Sequence, residues 1–338
     1  MCTPRGWGLL LTLALSGVLR EVAVGQVTAP TWVRVAEHAA WAPRDSCGEV
    51  VHDGKMWLLG GWFTVQGLGP NDVWCSADGA DWRLVTSAAP WVHGDLPTSL
   101  AFGDRIWMIG GWYGDHQPFA SSSNQAWASR DGVNWELVAS GPWKPRLGAA
   151  GVVFRDHMWI LGGVERYFDG EQYLLNDVWS SSDGAHWDLM AEHAPWAPRA
   201  FHGAVVLGEH LCVFGGGNYR PTYLGYNDVW RTTDGVHWDR LTEAAPWSPR
   251  IWFSAVQYRG RMWILGGWSD NPSVNWNDVW YSADGAHWDE AKTPTVWSPR
   301  HEQSAFVFQD KLWIVGGNEW PLVNDVWYLD LPSSWPAP

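Results

Sequence analysis

Four side chains in this 338-residue sequence combine a reactive type with a recurring place. Asp45, His202, His301 and Glu302 each lie within three residues of an arginine that closes a Pro-Arg dipeptide (Arg44, Arg199 and Arg300). A carboxyl and an imidazole can act as general acid and base, and the same groups are common oxygen and nitrogen ligands of a divalent metal. None of the four has a diagnostic spacing, so the sequence assigns them no metal; hydrated polar lining is the plainer expectation. What singles them out is variation inside a constant phrase. After each Pro-Arg the residues differ: Asp45-Ser46, Phe201-His202, Trp252, then His301-Glu302-Gln303.

Aromatic residues form the second candidate set. Trp62, Trp112, Tyr167, Tyr219, Trp252, Trp268, Trp276 and Trp320 do not all recur in register, and Arg166 and Arg220 stand among them. Such faces pack on the C–H faces of sugar rings while polar neighbours take the hydroxyls, and they suit a protein partner equally well. Arg44, Arg146, Arg199, Arg250 and Arg300 do recur, with Gly94 in their place once. Recurrence favours a structural role, with each guanidinium bonding loop carbonyls or a neighbouring acid. A ring of arginines that binds a carboxylate is the alternative.

These residues need a frame, and the frame is written as a repeat. Gly-Gly pairs begin at Gly60, Gly110, Gly162, Gly215, Gly266 and Gly316, 50 to 53 residues apart. A strand-like period of that size marks a closed repeat array. In one unit, Phe253–Tyr258 alternates as a strand, Arg259-Gly260 is a tight turn, and Arg261–Gly267 is a buried strand. Asn277–Tyr281 supplies a third strand, Asp284-Gly285 signals a two-residue hairpin, and His287–Ala291 is the fourth. The expected fold is all-β: a six-bladed β-propeller of four-stranded antiparallel blades. The last unit lacks its fourth strand, whereas Trp32 precedes Trp41 by the nine residues that separate Trp187 from Trp196. An N-terminal strand should therefore complete the last blade and close the ring. The short turns then share one face, and the long loops with the candidate aromatics share the other.

A strand ending in Gly-Gly, followed by the Trp of Asn-Asp-Val-Trp and a Trp eight residues beyond, resembles the kelch repeat. The resemblance covers nearly all of residues 31–330 and implies a propeller similar to the kelch and galactose-oxidase-like families. Those families include binding proteins and enzymes. Copper-radical chemistry is disfavoured, because six blades leave no room for the flanking domains it accompanies. Glu165 and Asp169 fit the first half of the iron motif of plant kelch specifier proteins, but Tyr173 stands where that motif has His. No cofactor is expected. Sialic acid epimerases are similar in architecture, so an enzyme acting on a sugar or sugar acid is the alternative to a binding module.

Bulk properties narrow the partners. Net charge is −14, from 36 acidic against 22 basic residues, which disfavours nucleic acid and anionic membrane surfaces. Residues 1–25 read as an export signal. Arg5 precedes an apolar core over Trp7–Leu19, and Ala23-Val24-Gly25 offers small residues for cleavage. That core is short of the roughly 20 residues a spanning helix needs. The expectation is a secreted or periplasmic/extracellular protein without membrane insertion, residues 26–338 forming one propeller. Cys47, Cys75 and Cys212 would remain as free, mostly buried thiols.

Overall fold

The computed structural model describes residues 29–63, 71–112, 122–166, 173–270, 272–333 and 335. The proposed signal, residues 1–25, lies outside them, as do Tyr167 and Asp169. Each repeat becomes a meander because its strands are apolar and its turns are chemically specified. Arg259 and Gly260 both take positive φ (47° and 68°), the mirror-image turn whose twist suits a hairpin. That turn joins Ser254–Tyr258 to Arg261–Asp270 in register, from Ser254 opposite Leu265 to Tyr258 opposite Arg261. Ser273–Ser282 and Asp289–Glu290 complete the blade. Six four-stranded antiparallel sheets of this kind follow one another, and no helix occurs among the described residues.

The Asp-Gly loops are not two-residue hairpins. Gly285 has φ 81°, but Asp284 does not have positive φ. Its carboxylate instead accepts the N–H groups of Ala286 and His287, each at 2.8–2.9 Å, while the Ser282 hydroxyl accepts the Gly285 N–H at 2.8 Å. This is side-chain capping of a wider loop. The glycine is also demanded by the preceding blade. A Cβ on Gly79, Gly132, Gly184 or Gly235 would fall 2.1–2.4 Å from the ring of Trp313, Trp57, Trp107 or Trp159 respectively.

Tryptophan fills the wedge between blades. Each phrase that ends at a clamp position carries a fully buried indole that meets, edge-to-face, an indole at the start of the fourth strand. The pairs are Trp41–Trp82, Trp91–Trp135, Trp143–Trp187, Trp196–Trp238 and Trp247–Trp288, at 4.7–6.2 Å and 74–88°. Such contacts contribute about 0.5–1.5 kcal/mol each beyond area burial. The sixth pair closes the ring: Trp32 meets Trp297 at 6.0 Å and 88°. Its strand, Thr31–Ala36, pairs antiparallel with Leu322–Asp330 at the outer edge of the last sheet. Trp335 then covers Trp263, centroids 5.3 Å apart, where the other units use the Asp-Gly loop. Cys47, Cys75 and Cys212 are free and buried.

The recurring arginines are bound within their own blades. Arg44, Arg146, Arg199, Arg250 and Arg300 are at most 3% exposed. Each grips the carboxylate of its Asn-Asp pair with both terminal nitrogens, as Arg199 does Asp228 at 2.7 and 2.9 Å, and donates to the first Gly-Gly carbonyl. The same carboxylate accepts an indole N–H, as from Trp230 at 2.7 Å. These guanidinium groups are fully engaged and do not form a free carboxylate-binding ring. In the second blade both partners change together: Gly94 replaces the arginine and Gln125 the aspartate, and Gln125 still accepts from Trp127. Removing one partner of a buried pair strands the other charge, at a cost of about 3–5 kcal/mol. Asp228→Ala should lower unfolding free energy by that amount in urea titration. The Arg199→Gly/Asp228→Gln double variant, which copies the second blade, should lose less than the two single losses combined; strict additivity would contradict this account.

Candidate functional site

The arginine clamp sets the position of the residues that follow it. Two residues beyond each clamp position the backbone is left-handed in all six blades: Ser46 (φ 58°), Leu96 (50°), Gly148 (61°), Phe201 (57°), Trp252 (59°) and Glu302 (53°). Five of these six are not glycine, so each carries a conformational cost of about 1–2 kcal/mol that its surroundings must offset. Hydrogen bonds between blades do so. The N–H of Ser46 donates to Glu302 O, that of Leu96 to Ser46 O, Gly148 to Leu96 O, Phe201 to Gly148 O, and Glu302 to Trp252 O, all at 2.8–3.1 Å. A backbone ring thus rims the channel at its long-loop end, hydrogen-bonded at five of its six steps, with ring contact between Phe201 and Trp252 at the sixth.

The ring has two chemically opposite halves. One residue beyond the clamp stand Asp45, Asp95 and His301 in the first, second and sixth blades, against Leu147, Ala200 and Ile251 in the other three. On the polar side, Asn318 Nδ2 donates to Asp45 Oδ2 at 2.9 Å, and Glu302 Oε2 lies 3.6 Å from His301 Nε2. His301 Nδ1 donates to Asn275 Oδ1 at 2.6 Å, an orientation fixed because that amide's Nδ2 donates to Asn318 O. Burial raises the Asp45 carboxyl to about 7. Burial also pushes Asp95 and Glu302 well above the usual carboxylate range, with mutual repulsion among the three acids adding to it. His301, buried and stacked on Trp252 at 5.2 Å, is lowered to about 3 and is neutral.

The other half is aromatic. Trp252 packs on Phe201 (5.4 Å), Tyr219 (4.8 Å) and Trp268 (5.6 Å), and Trp268 meets Tyr219 (5.5 Å) and Tyr223 (5.3 Å). Trp112 lies buried beneath, among Leu147, Val164, Phe201 and Ile251. Arg220 lies over Tyr219 at 5.0 Å, and Trp320, 73% exposed, extends the wall outward beside His301 at 6.1 Å.

Of the residues singled out by sequence, the structure therefore gathers Trp252, Trp268, Tyr219, Arg220 and Trp320 around the mouth, with His301 joining Trp252 and Trp320 to the acids Asp45 and Glu302. Trp276 stands apart, half-buried over the Arg250 guanidinium at 4.8 Å, with its N–H on Ser269. Trp62 pairs by backbone with Asp45, and exposed Arg166 lies over Tyr173 at 5.5 Å. His202 lines the channel below the ring, in a cavity of about 300 Å³ shared with Ser46, Glu49, Phe201, Trp252 and Glu302. Neither His202 ring nitrogen has a hydrogen-bond partner, and burial lowers its imidazole to about 3. Sequence reasoning missed Asp95 and Glu49. Asp95 follows Gly94 as Asp45 follows Arg44, so alignment on the clamp position would have found it.

Glu49 is the acid of the channel wall below the ring. Desolvation raises it to about 8, partly opposed by hydrogen bonds from Ser304 and the Ala305 backbone. The adjoining strands face it with Ser99, Ser304 and Ala305, and its ionisable neighbour is the buried Cys47 thiol. An unfolded glutamate titrates near 4.3, so between about pH 4 and 8 the unfolded chain binds fewer protons than the folded one. Stability from this group is therefore present at low pH and falls as pH rises, by at most about 1.4 kcal/mol per pH unit. Glu49→Gln should gain on the wild type steadily from pH 5 to 8 in denaturant titrations; parallel pH profiles would refute the assignment.

Comparison with known proteins agrees with this architecture. Residues 182–335 match the KLHDC2/KLHL20/DRC7 Kelch-repeats domain. The flagellar outer-arm dynein alpha chain of Chlamydomonas reinhardtii is 35% identical over 138 residues, covering 38% of this chain and 3% of that protein. The leucine-zipper-like transcriptional regulator 1 homolog of Drosophila melanogaster is 32% identical over 134 residues, covering 37% of this chain and 13% of that one. The match thus spans a small part of either relative. The solved structure of YjhT shares the fold, with TM-score 0.68 and 15% identity over 86% of this chain and 96% of that one. With a kelch-like repeat running through all six blades and the Kelch-repeats model matching the last three of them, the chain folds as a six-bladed propeller of kelch type.

Proposed function

We propose that this propeller is an exported interaction module that receives a protein partner on its long-loop face, seating partner side chains against the aromatic half of the mouth. The observation that carries the reading is the wall in which Phe201, Tyr219 and Trp268 pack on Trp252, and Trp252 continues through stacked His301 to exposed Trp320. Buried frame residues hold its inner end rigid, and exposed aromatics on a rigid frame are the usual anchors of a binding surface. Its outer indole also favours a second reading, in which the wall stacks a sugar ring. An acid–base enzyme would have to work through Glu302 and His202, which line the cavity.

The test is capture by the mature protein of extracellular proteins after cross-linking, in parallel with a glycan array. Trp320→Ala, an exposed substitution, should weaken the captured interaction at least ten-fold with no change in melting temperature. Glycan binding sensitive to the same substitution would transfer the ligand to carbohydrate. Ligand capture indifferent to both Trp320→Ala and Tyr219→Ala would remove the aromatic face from the function.

A further inference from the structure

Closure of the ring brings the two ends of the repeat array together at one point. Asp45, from the first blade, and His301 and Glu302, from the last, present ligand atoms that all lie within 4.8 Å of one another. The geometry points to a divalent transition-metal site here, with Asp45 Oδ1, His301 Nε2 and a Glu302 carboxylate oxygen as ligands and Asp95 as the neighbouring acid. It is independent of the interaction reading above.

Several features of the cluster are those of a ligand set rather than of a polar core. Asp45 and Asp95 are 3% and 4% exposed, yet Oδ1 of each is buried without a hydrogen-bond partner. A buried polar atom left unpaired costs roughly 1–3 kcal/mol, and more when charged, a cost that a bound cation would relieve at both. Within the cluster Asp45 meets the Ser46 and Glu302 side chains, and the amide partners act one step out. Asn275 takes the Nδ1 proton of His301 and leaves Nε2 bare toward Glu302. Asn318 takes one oxygen of Asp45 and leaves the other free. Holding a ligand imidazole and a ligand carboxylate by their far atoms is how outer residues orient metal sites.

The charge balance points the same way. Three acids share the cluster, while the clamp arginines beside them in sequence are bound elsewhere, Arg44 to Asp72 and Arg300 to Asp325 and Glu319. One imidazole with carboxylates suits Zn²⁺ or Mn²⁺; Ca²⁺ and Mg²⁺ prefer oxygen alone. The nearby Cys47 thiol is directed to the carbonyls of Asp45 and Gly60 and is not part of the set.

Isothermal titration of ZnCl₂ into the EDTA-stripped full chain should show one tight equivalent with a Kd of 1 μM or below, roughly −8 kcal/mol. Asp45→Asn and Glu302→Gln should each weaken it at least ten-fold. The exposed Asp183–His186, Asp234–His237 and Asp284–His287 pairs are the natural competitors, so the His186→Ala/His237→Ala/His287→Ala variant must retain the equivalent. X-ray absorption of the zinc-loaded wild type, which needs no variant to fold, should show a nitrogen/oxygen shell with a single imidazole and no sulfur. The proposal is overturned by no tight binding, by binding that survives both acid substitutions or departs with the loop histidines, or by a shell containing sulfur or several imidazoles.

Discussion

A guanidinium buried at the long-loop end of five blades sets the geometry inherited by everything around the channel mouth. Taking an arginine to 0–3% exposure is tolerable only with a carboxylate held in both hands, and the Asn-Asp pair of the same blade supplies it. The aspartate anchors the third strand, and the arginine anchors the entry to the first. Its partner asparagine reaches the other way, to the backbone of the next Trp-containing phrase, as Asn227 does to Ala245 O and Trp247 O. Each blade is thereby tied internally by charge and to its successor by amide hydrogen bonds. The second blade shows the logic by exception, since it has lost both members of the pair and kept the indole contact.

From that anchor the next two residues have no freedom. They must bridge to the strand beyond Gly-Gly and enter the left-handed region, whatever their type. The frame fixes backbone positions and leaves side chains open to variation. Variation has divided the ring: acids and imidazole in three adjacent blades, aliphatic and aromatic groups in the other three. Serine, leucine, phenylalanine, tryptophan and glutamate all occupy the same strained conformation, so the requirement there is set by the ring's hydrogen bonds rather than by local propensity.

Much of this was legible in the sequence, because a 50-residue period, Gly-Gly ends and alternating strands are local signals repeated many times. The missing last strand and the Trp32 spacing foretold closure, and the Trp32–Trp297 pair has the same edge-to-face geometry as its five counterparts. The Asp-Gly loops were misread as tight hairpins. Their glycine answers to an indole of the adjacent blade, a contact that turn rules do not contain. Trp276 and Trp252 both stood among the aromatic candidates, and packing separated them: one covers an arginine, the other stands in the mouth wall.

The sequence by itself determined the blade, the number of blades and the way the ring closes, since each follows from short-range patterning and its count. Tertiary structure alone decided which side chains share a neighbourhood. Asp45 lies 273 residues from Asn318, its hydrogen-bond partner, and comparably far from His301 and Glu302. No spacing rule reaches across that interval, because what joins those residues is the curvature of six stacked sheets returning to their start. The same curvature withdraws water from the acids and shifts their protonation, so the chemistry of the mouth belongs to the closed ring and not to any one repeat.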